Sequence, residues 1–196
     1  MPGQFINTGT NPGGKLSLTN VSNQGNLTFV GPPPPPTYTI GESALGGLIA
    51  YINGGGSSGT SGFVVTAADL VVFGSTLTRS WSTTNAFTGA TGTAIGTGAA
   101  NTAAIVAYYG AGLGYAAGVA DAATDGGYTD WYLPSKDEWY AMYLNNGTLG
   151  IGTNIYWTSS ETILFDDTAW SQYVSNGSQL ERSKNDSLRV RAIRSF

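Results

Sequence analysis

Residues 156–196 read YWTSSETILFDDTAWSQYVSNGSQLERSKNDSLRVRAIRSF, and they carry most of the information about this chain. Short pieces that look fixed, such as 156–161 (YWTSSE) and 189–192 (RVRA), alternate with stretches whose side chains share no chemistry. Residues 162–168 (TILFDDT) show no hydrophobic periodicity, no turn signature and no charge pattern, although a segment selected for folding normally shows one of these. We therefore interpret the stretch as a rigid frame that displays side chains of arbitrary type, as a recognition surface does.

The composition excludes several classes of chemistry. The 196 residues contain no Cys and no His, which removes thiol nucleophiles, disulfides, the usual zinc sites and imidazole bases. Charged residues make up only 10% of the chain, so Ser, Thr, Asn and Gly must supply most of its polar surface. A hydrophobic fraction of 41% is enough for a real core. We expect a folded protein of strands and long loops that holds no cofactor and no metal ion.

Charge and hydropathy narrow the range of partners. The net charge of -4 disfavours binding to a phosphate backbone, so we expect no nucleic-acid partner. No run approaches the roughly 18 apolar residues of a membrane span, and the N-terminus shows no secretory signal. Five of the eight basic residues lie in the last fifteen positions, and we expect them to bond carboxylates and carbonyls of neighbouring strands. These are Arg182, Lys184, Arg189, Arg191 and Arg194.

The chain divides into three parts by its sequence. Residues 1–31 alternate apolar and polar side chains over short stretches, but they are too few to bury a stable core alone. We expect this β-rich segment to be an anchor that pairs with another chain or with a second copy in a homo-oligomer. Residues 32–37 contain five consecutive prolines and are predicted to be a stiff polyproline linker. Residues 38–196 form the main domain.

Local patterns within the main domain predict strands, then helices, then strands, which is typical of an α+β fold. The box formed by Ser135 and Glu138 predicts the start of a helix that carries Trp139, Met142 and Tyr143 on one face. Other predicted elements are strands at 46–52, 63–67 and 188–193, a strand from 156 onward, a long loop over 74–98 around Trp81 and Phe87, and helices at 99–109 (capped by Asn101 or Thr102) and 115–123.

Four motifs in a fixed order carry a family resemblance. They are 130–138 (DWYLPSKDE), 156–161 (YWTSSE), 169–170 (AW) and 189–194 (RVRAIR). On these motifs the chain resembles the C-type-lectin-like variable proteins of diversity-generating retroelements, which include phage receptor-binding tail proteins. The resemblance covers residues 38–196. It implies a C-type-lectin-like α+β fold with a small antiparallel sheet and two to three helices, preceded here by the short β-rich segment.

The resemblance also implies a ligand-binding surface near the C-terminus whose positions are diversified. Ser171, Tyr173 and Ser175 fall on every second position of a strand, which predicts one shared face toward the ligand. Frame residues would anchor inward: Trp157, Ser159, Ser160, Glu161, Trp170, Arg189 and Arg191. The expected ligand-binding residues are Thr162, Ile163, Leu164, Phe165, Asp166, Asp167, Thr168, Ser171, Tyr173, Ser175, Ser178, Leu180, Arg182, Asn185, Asp186 and Ser187.

Three classes of function remain to be weighed. The leading interpretation is a non-enzymatic receptor-recognition protein on a phage tail tip or a cell surface, with a host-surface protein or glycan as its partner. The alternative is a structural virion or surface protein whose lectin-like domain mediates oligomer assembly. An enzyme would have to use Asp137 and Glu138, but adjacent helical carboxylates point about 100° apart. Calcium-dependent sugar binding is disfavoured, because the calcium motifs of vertebrate-type lectins are absent.

Overall fold

The computed structural model of the chain describes residues 32–72, 75–76 and 78–196, so the expected anchor at 1–31 lies outside the described residues. Residues 32–36 are exposed and have no secondary structure, and residues 37–196 form one unit. The strands are β1 (Tyr38–Thr39), β2 (Ser43–Ala44), β3 (Gly47–Ile52), β4 (Ser58–Gly59), β5 (Gly62–Val65), β6 (Val71–Val72), β7 (Ser75–Thr76), β8 (Thr78–Arg79), β9 (Ile155–Glu161), β10 (Thr168–Tyr173), β11 (Gln179–Ser183), β12 (Leu188–Arg189) and β13 (Ile193–Ser195). The helices are α1 (Gly98–Tyr109), α2 (Ala116–Asp121), α3 (Lys136–Leu144) and α4 (Asn146–Leu149).

Strand β9 is the centre of a five-stranded sheet with the order β11-β10-β9-β12-β8. Its side chains alternate between two hydrophobic clusters because successive residues of a strand point to opposite faces. Trp157 joins the cluster that contains Trp81, whereas Tyr156 packs on Trp139 with a ring-centroid distance of 4.6 Å. The carbonyl of Thr158 accepts from the Trp81 indole at 2.8 Å. The large aromatic side chains around β9 are therefore both packed against each other and hydrogen-bonded to the backbone.

The second main sheet has four antiparallel strands in the order β13-β5-β3-β2. Its central strands are apolar, and β5 is buried along its whole length. The chain passes from β12 in the first sheet to β13 in the second through the buried residues Val190 and Ala192. The C-terminal segment thus ties the two sheets together. Two further pairs of short strands, β1 with β4 and β6 with β7, lie outside these sheets.

The mixed composition of sheets and helices confirms the predicted α+β class. The capping box is also confirmed: the Glu138 amide donates to the Ser135 hydroxyl at 3.3 Å, and the Ser135 amide donates to the Glu138 carboxylate at 2.7 Å. Trp139 and Met142 are fully buried on the helix that follows. No helix in the part of the chain described here is long and apolar enough to cross a membrane.

Several predicted boundaries were wrong for identifiable reasons. The described residues contain four helices rather than two to three, since the four-residue α4 has no apolar periodicity. Helix α1 begins after Thr97, and Asn101 and Thr102 lie inside the helix. Their side chains bond Gly92 and Leu133 of neighbouring segments instead of capping α1. The strand predicted at 188–193 is two strands, and both sheets contain short strands that the sequence did not reveal.

Replacement of Ser135 tests the capping box directly. We expect Ser135→Ala to lower the free energy of unfolding by about 1–2 kcal/mol, because the Glu138 amide loses its acceptor. The Ala94 carbonyl also loses the hydroxyl that donates to it at 2.9 Å. Urea denaturation of both proteins measures the difference. Ser135→Thr, which keeps a capping hydroxyl, is the control, and an equal loss in both variants would contradict the capping role.

Candidate ligand-binding surface

The hairpin loop, residues 162–167, joins β9 to β10 and closes on its own hydrogen bonds. The Thr162 hydroxyl donates to the Phe165 carbonyl at 2.9 Å, and the Thr162 amide donates to the Thr168 carbonyl at 3.3 Å. The side chains of the three residues that follow Thr162 project into solvent. Ile163, Leu164 and Phe165 have exposed fractions of 76%, 81% and 57%. We call these three side chains the apolar tip.

A buried ion pair fixes the base of the hairpin loop. The side chains of Lys184 and Glu161 contact each other, and both are 0% exposed. The Lys184 ammonium also donates to the carbonyls of Asp166 and Ala86, the latter at 2.8 Å. The Lys184 amide donates to the Asp167 carbonyl at 2.8 Å. One buried cation therefore holds the backbone of the loop, while the side chains of the apolar tip stay free for contact.

Other expected binding residues lie beside the hairpin loop. The register pairs Ser171 with Leu180 and Ala169 with Arg182, which puts Leu180 and Arg182 on the same face of the sheet. The Arg182 guanidinium lies 5.8 Å from the centroid of the Tyr173 ring and forms an ion pair with Asp186 at 3.4 Å. Asn185, Asp186 and Ser187 form the turn that follows the anchored Lys184. The loop, this turn and β11 thus form one surface.

Four of the expected positions do not belong to this surface. Thr162 and Ser171 are buried, and their hydroxyls bond backbone carbonyls, that of Ser171 bonding Leu180 at 2.8 Å. The prediction that Ser171 points to a ligand is therefore wrong: it lies on the same face as Tyr173 but beneath the surface. Ser175 and Ser178 follow β10 at its opposite end, about 17 Å along the strand from the hairpin loop, and Tyr173 also lies at that end. Thr168 is half-buried at the loop base.

Five of the seven residues predicted to anchor inward are buried, whereas Trp170 and Arg189 are half-buried. Trp157, Ser159, Ser160 and Glu161 are buried on β9. Trp170 is half-buried, and the Lys136 ammonium lies 4.0 Å from the centroid of its ring. All five C-terminal basic residues form ion pairs, as expected: Arg182 with Asp186, Lys184 with Glu161, Arg189 and Arg191 with Asp69, and Arg194 with Asp130.

The carboxylates outside these ion pairs fall into two environments. Asp166 and Asp167 are exposed on the hairpin loop, and the described residues contain no group of three or more carboxylates that could hold a metal ion. Glu138 is fully buried. Burial raises the pKa of the Glu138 carboxyl, while hydrogen bonds from Ser135 and Gly96 oppose that rise. The Glu138 carboxylate is thus engaged in capping, and the neighbouring Asp137 is exposed.

The loop 86–89 completes the base of the hairpin loop, and sequence reasoning missed it. The Glu161 carboxylate accepts from the amides of Thr88 and Gly89 at 2.9 and 3.0 Å. These residues are more than seventy positions apart from Glu161, and Thr and Gly in a long loop are too common to indicate a partner. The one signal in the sequence for this contact was Glu161 itself, a carboxylate in a predicted strand with no cation close to it in sequence.

No protein-family model matches this chain, and no curated protein matches it either.

Proposed function

We propose that this protein is a non-enzymatic receptor-binding protein of the C-type-lectin-like variable type, displayed on a phage tail tip or a cell surface. The apolar tip is the observation that carries the proposal. Burying one such side chain fully would contribute about 1.5–3 kcal/mol, yet the fold leaves Ile163, Leu164 and Phe165 in water. A contiguous exposed apolar patch on a fixed backbone is typical of a binding site.

The rigid base of the hairpin loop supports the same function. A display surface must tolerate changes of side chain without losing its backbone, and here the contacts between the loop and Lys184 use backbone carbonyls of the loop. Lys184 bonds the backbone of Asp166 and Asp167, so the identity of those residues does not enter the bond. An ordered loop also loses less conformational entropy on binding.

Replacing the apolar tip tests this function. We expect Ile163→Ser/Leu164→Ser/Phe165→Ser to weaken adhesion to cells by about 100-fold or more, because clustered apolar anchors dominate binding energy. The Tm should not fall, since the three side chains bury little surface. Flow cytometry of the labelled chain on intact cells from a panel of bacterial strains measures adhesion.

A matched control is available on other elements. Val71, Tyr108 and Leu144 are also exposed apolar side chains, and they lie on β6, α1 and α3. The triple substitution of these residues to Ser should leave adhesion unchanged. Equal losses in the two triple variants, or no adhesion of the native chain to any strain, would refute the proposed receptor-binding surface.

The structural alternative predicts a different outcome for the same variant. If the apolar tip were a subunit interface, its replacement would change the oligomeric state in sedimentation experiments.

Diversification of residues 156–196 has a genetic test. An adenine-rich near-copy of the codons for 156–196 beside a reverse-transcriptase gene would support it. Absence of that copy from the complete source genome would leave a lectin-like binder without diversification.

A further inference from the structure

The loop 86–89 and the hairpin loop are joined through shared hydrogen-bond partners. The Lys184 ammonium donates to the carbonyls of both Ala86 and Asp166, so these two backbone segments meet at one cation. The Glu161 carboxylate accepts from the amides of Thr88 and Gly89. Phe87 lies between residues that are bonded on both sides, and its backbone is therefore fixed next to the hairpin loop.

Phe87 has an exposed fraction of 45% and belongs to neither hydrophobic cluster. A large aromatic ring that is half in water contributes little to folding, whereas aromatic rings are enriched at the centre of binding interfaces. Its backbone is held at the base of the hairpin loop by Lys184 and Glu161, so this fourth large exposed side chain is available to the same surface. Phe87 lies 75 positions before the hairpin loop begins, outside the segment expected to vary.

The exposed charge next to the apolar tip is negative. Asp166 and Asp167 form no ion pair within the described part of the chain, whereas the nearest cations are already paired. Lys184 is buried with Glu161, and Arg182 forms an ion pair with Asp186. A partner that approaches the tip therefore meets apolar side chains first and two carboxylates beside them.

We propose that Phe87 and the apolar tip form one binding surface, and that its partner is a protein whose apolar patch is bordered by Lys or Arg side chains. This inference rests on the proposed receptor-binding function and extends it to a fixed residue outside the variable segment. Ile163 and Leu164 offer no donor or acceptor for sugar hydroxyls, whereas they pack well against an apolar protein patch. The carboxylates are complementary to basic groups around that patch.

Single substitutions in the full chain test the role of Phe87. We expect Phe87→Ser to weaken adhesion to the panel of intact bacterial cells by about tenfold or more. Ile95→Ser is the matched control, because Ile95 lies in the same long loop with an exposed fraction of 43%. Its neighbours bond Ser135 and Glu138 at the start of α3, whereas the neighbours of Phe87 bond Lys184 and Glu161. Ile95→Ser should change adhesion less than about twofold.

Cell treatments test the class of partner. Proteinase K should abolish adhesion of the native chain, whereas periodate, which oxidises glycans, should leave it intact. Adhesion that survives proteinase K and is lost after periodate would overturn the protein partner. Adhesion that needs the apolar tip but is indifferent to Phe87→Ser would overturn the joint surface and leave the proposed function standing. Adhesion that is absent, or indifferent to the apolar tip, overturns both.

The variant Phe87→Leu separates the loss of the aromatic ring from a loss of folding. It retains an apolar side chain at this position but loses the aromatic ring, so its Tm should equal that of the native chain. We expect an adhesion between those of the native chain and Phe87→Ser. Adhesion of Phe87→Leu as weak as that of Phe87→Ser, with both variants folded by circular dichroism, still supports an aromatic anchor. Native adhesion in both folded variants overturns it.

Discussion

Lys184→Met should lower the free energy of unfolding by about 3–5 kcal/mol, because it leaves the buried Glu161 carboxylate without its counter-ion. Neither side chain has any exposed surface, so water cannot replace the lost partner. The carbonyls of Ala86 and Asp166 lose the donor that now bonds them both. Urea denaturation followed by tryptophan fluorescence measures the change, with Trp81 close to the pair as a reporter.

Arg182→Met is the matched control, since it breaks another ion pair only two positions away. Arg182 and Asp186 are 38% and 39% exposed, so that pair contributes less than about 1 kcal/mol. A loss for Lys184→Met as small as the loss for Arg182→Met would show that the buried pair does not hold the hairpin loop.

The double variant Lys184→Met/Glu161→Gln separates the ion pair from other contacts of each residue. It removes both charges, so no buried charge is left unpaired. We expect its loss to be smaller than the sum of the losses for the two single variants, as for residues in direct contact. The side-chain amide oxygen introduced by Glu161→Gln can still accept from Thr88 and Gly89, which preserves part of the loop contact. Additive losses would mean that the two charges do not interact.

This ion pair also marks a limit of what the sequence could predict. The capping box was predictable because its two residues are three positions apart and bond each other's amides. The ion pairing of the C-terminal basic residues was predictable as a class, since buried cations need counter-ions. The particular partners were not: Arg189 and Arg191 both bond Asp69, 120 or more positions earlier, and the sequence contains no local signal for such a contact.

The candidate surface was also predictable only where the sequence carries a local signal. Absence of pattern in residues 162–168 predicted displayed side chains, and Ile163, Leu164 and Phe165 are exposed, but Thr162 is buried. Period-two alternation placed Ser171 and Tyr173 on one face, but alternation alone cannot tell which stretch of a face is covered. The pairing of β9 with β10 also shifts register between Ala169 and Ser171, and Ser171 lies buried next to that irregularity. Only the tertiary structure could show this.

The second large effect is expected at Asp69, which connects β9 and β12 of the five-stranded sheet to the crossing toward β13. Its carboxylate contacts Arg189 on β12, accepts from Arg191 at 2.8 Å in the crossing to β13, and accepts from the Tyr156 hydroxyl on β9 at 2.9 Å. We expect Asp69→Asn to cost about 3 kcal/mol near neutral pH, because the nearly buried Arg191 keeps its charge and loses its partner. Asp130→Asn is the control, since the exposed Asp130 pairs with Arg194 and should cost less than about 1 kcal/mol.

The pH dependence of stability tests whether the charge of Asp69 is the cause of the expected loss in Asp69→Asn. Burial tends to raise the pKa of the Asp69 carboxyl, but the hydrogen bonds from Arg189, Arg191 and Tyr156 outweigh burial and lower it. The unfolded chain, with an Asp pKa of about 3.9, therefore binds the proton more readily than the folded chain. The stabilisation by the carboxylate is complete above that value and is lost as the pH falls through the lower pKa of the folded state.

Comparison of the native chain with Asp69→Asn across pH therefore gives a defined result. The difference in unfolding free energy should stay constant from pH 7 to about pH 5, then shrink as the pH falls through the lowered pKa of the folded-state Asp69 carboxyl. The protonated Asp69 and the substituted amide are then both neutral. Burial raises the pKa of Glu138, which makes an opposite contribution, but it does so in both proteins and cancels. A difference that stays constant over the whole acid range would show that the shape of the Asp69 side chain, and not its charge, is what stabilises these contacts.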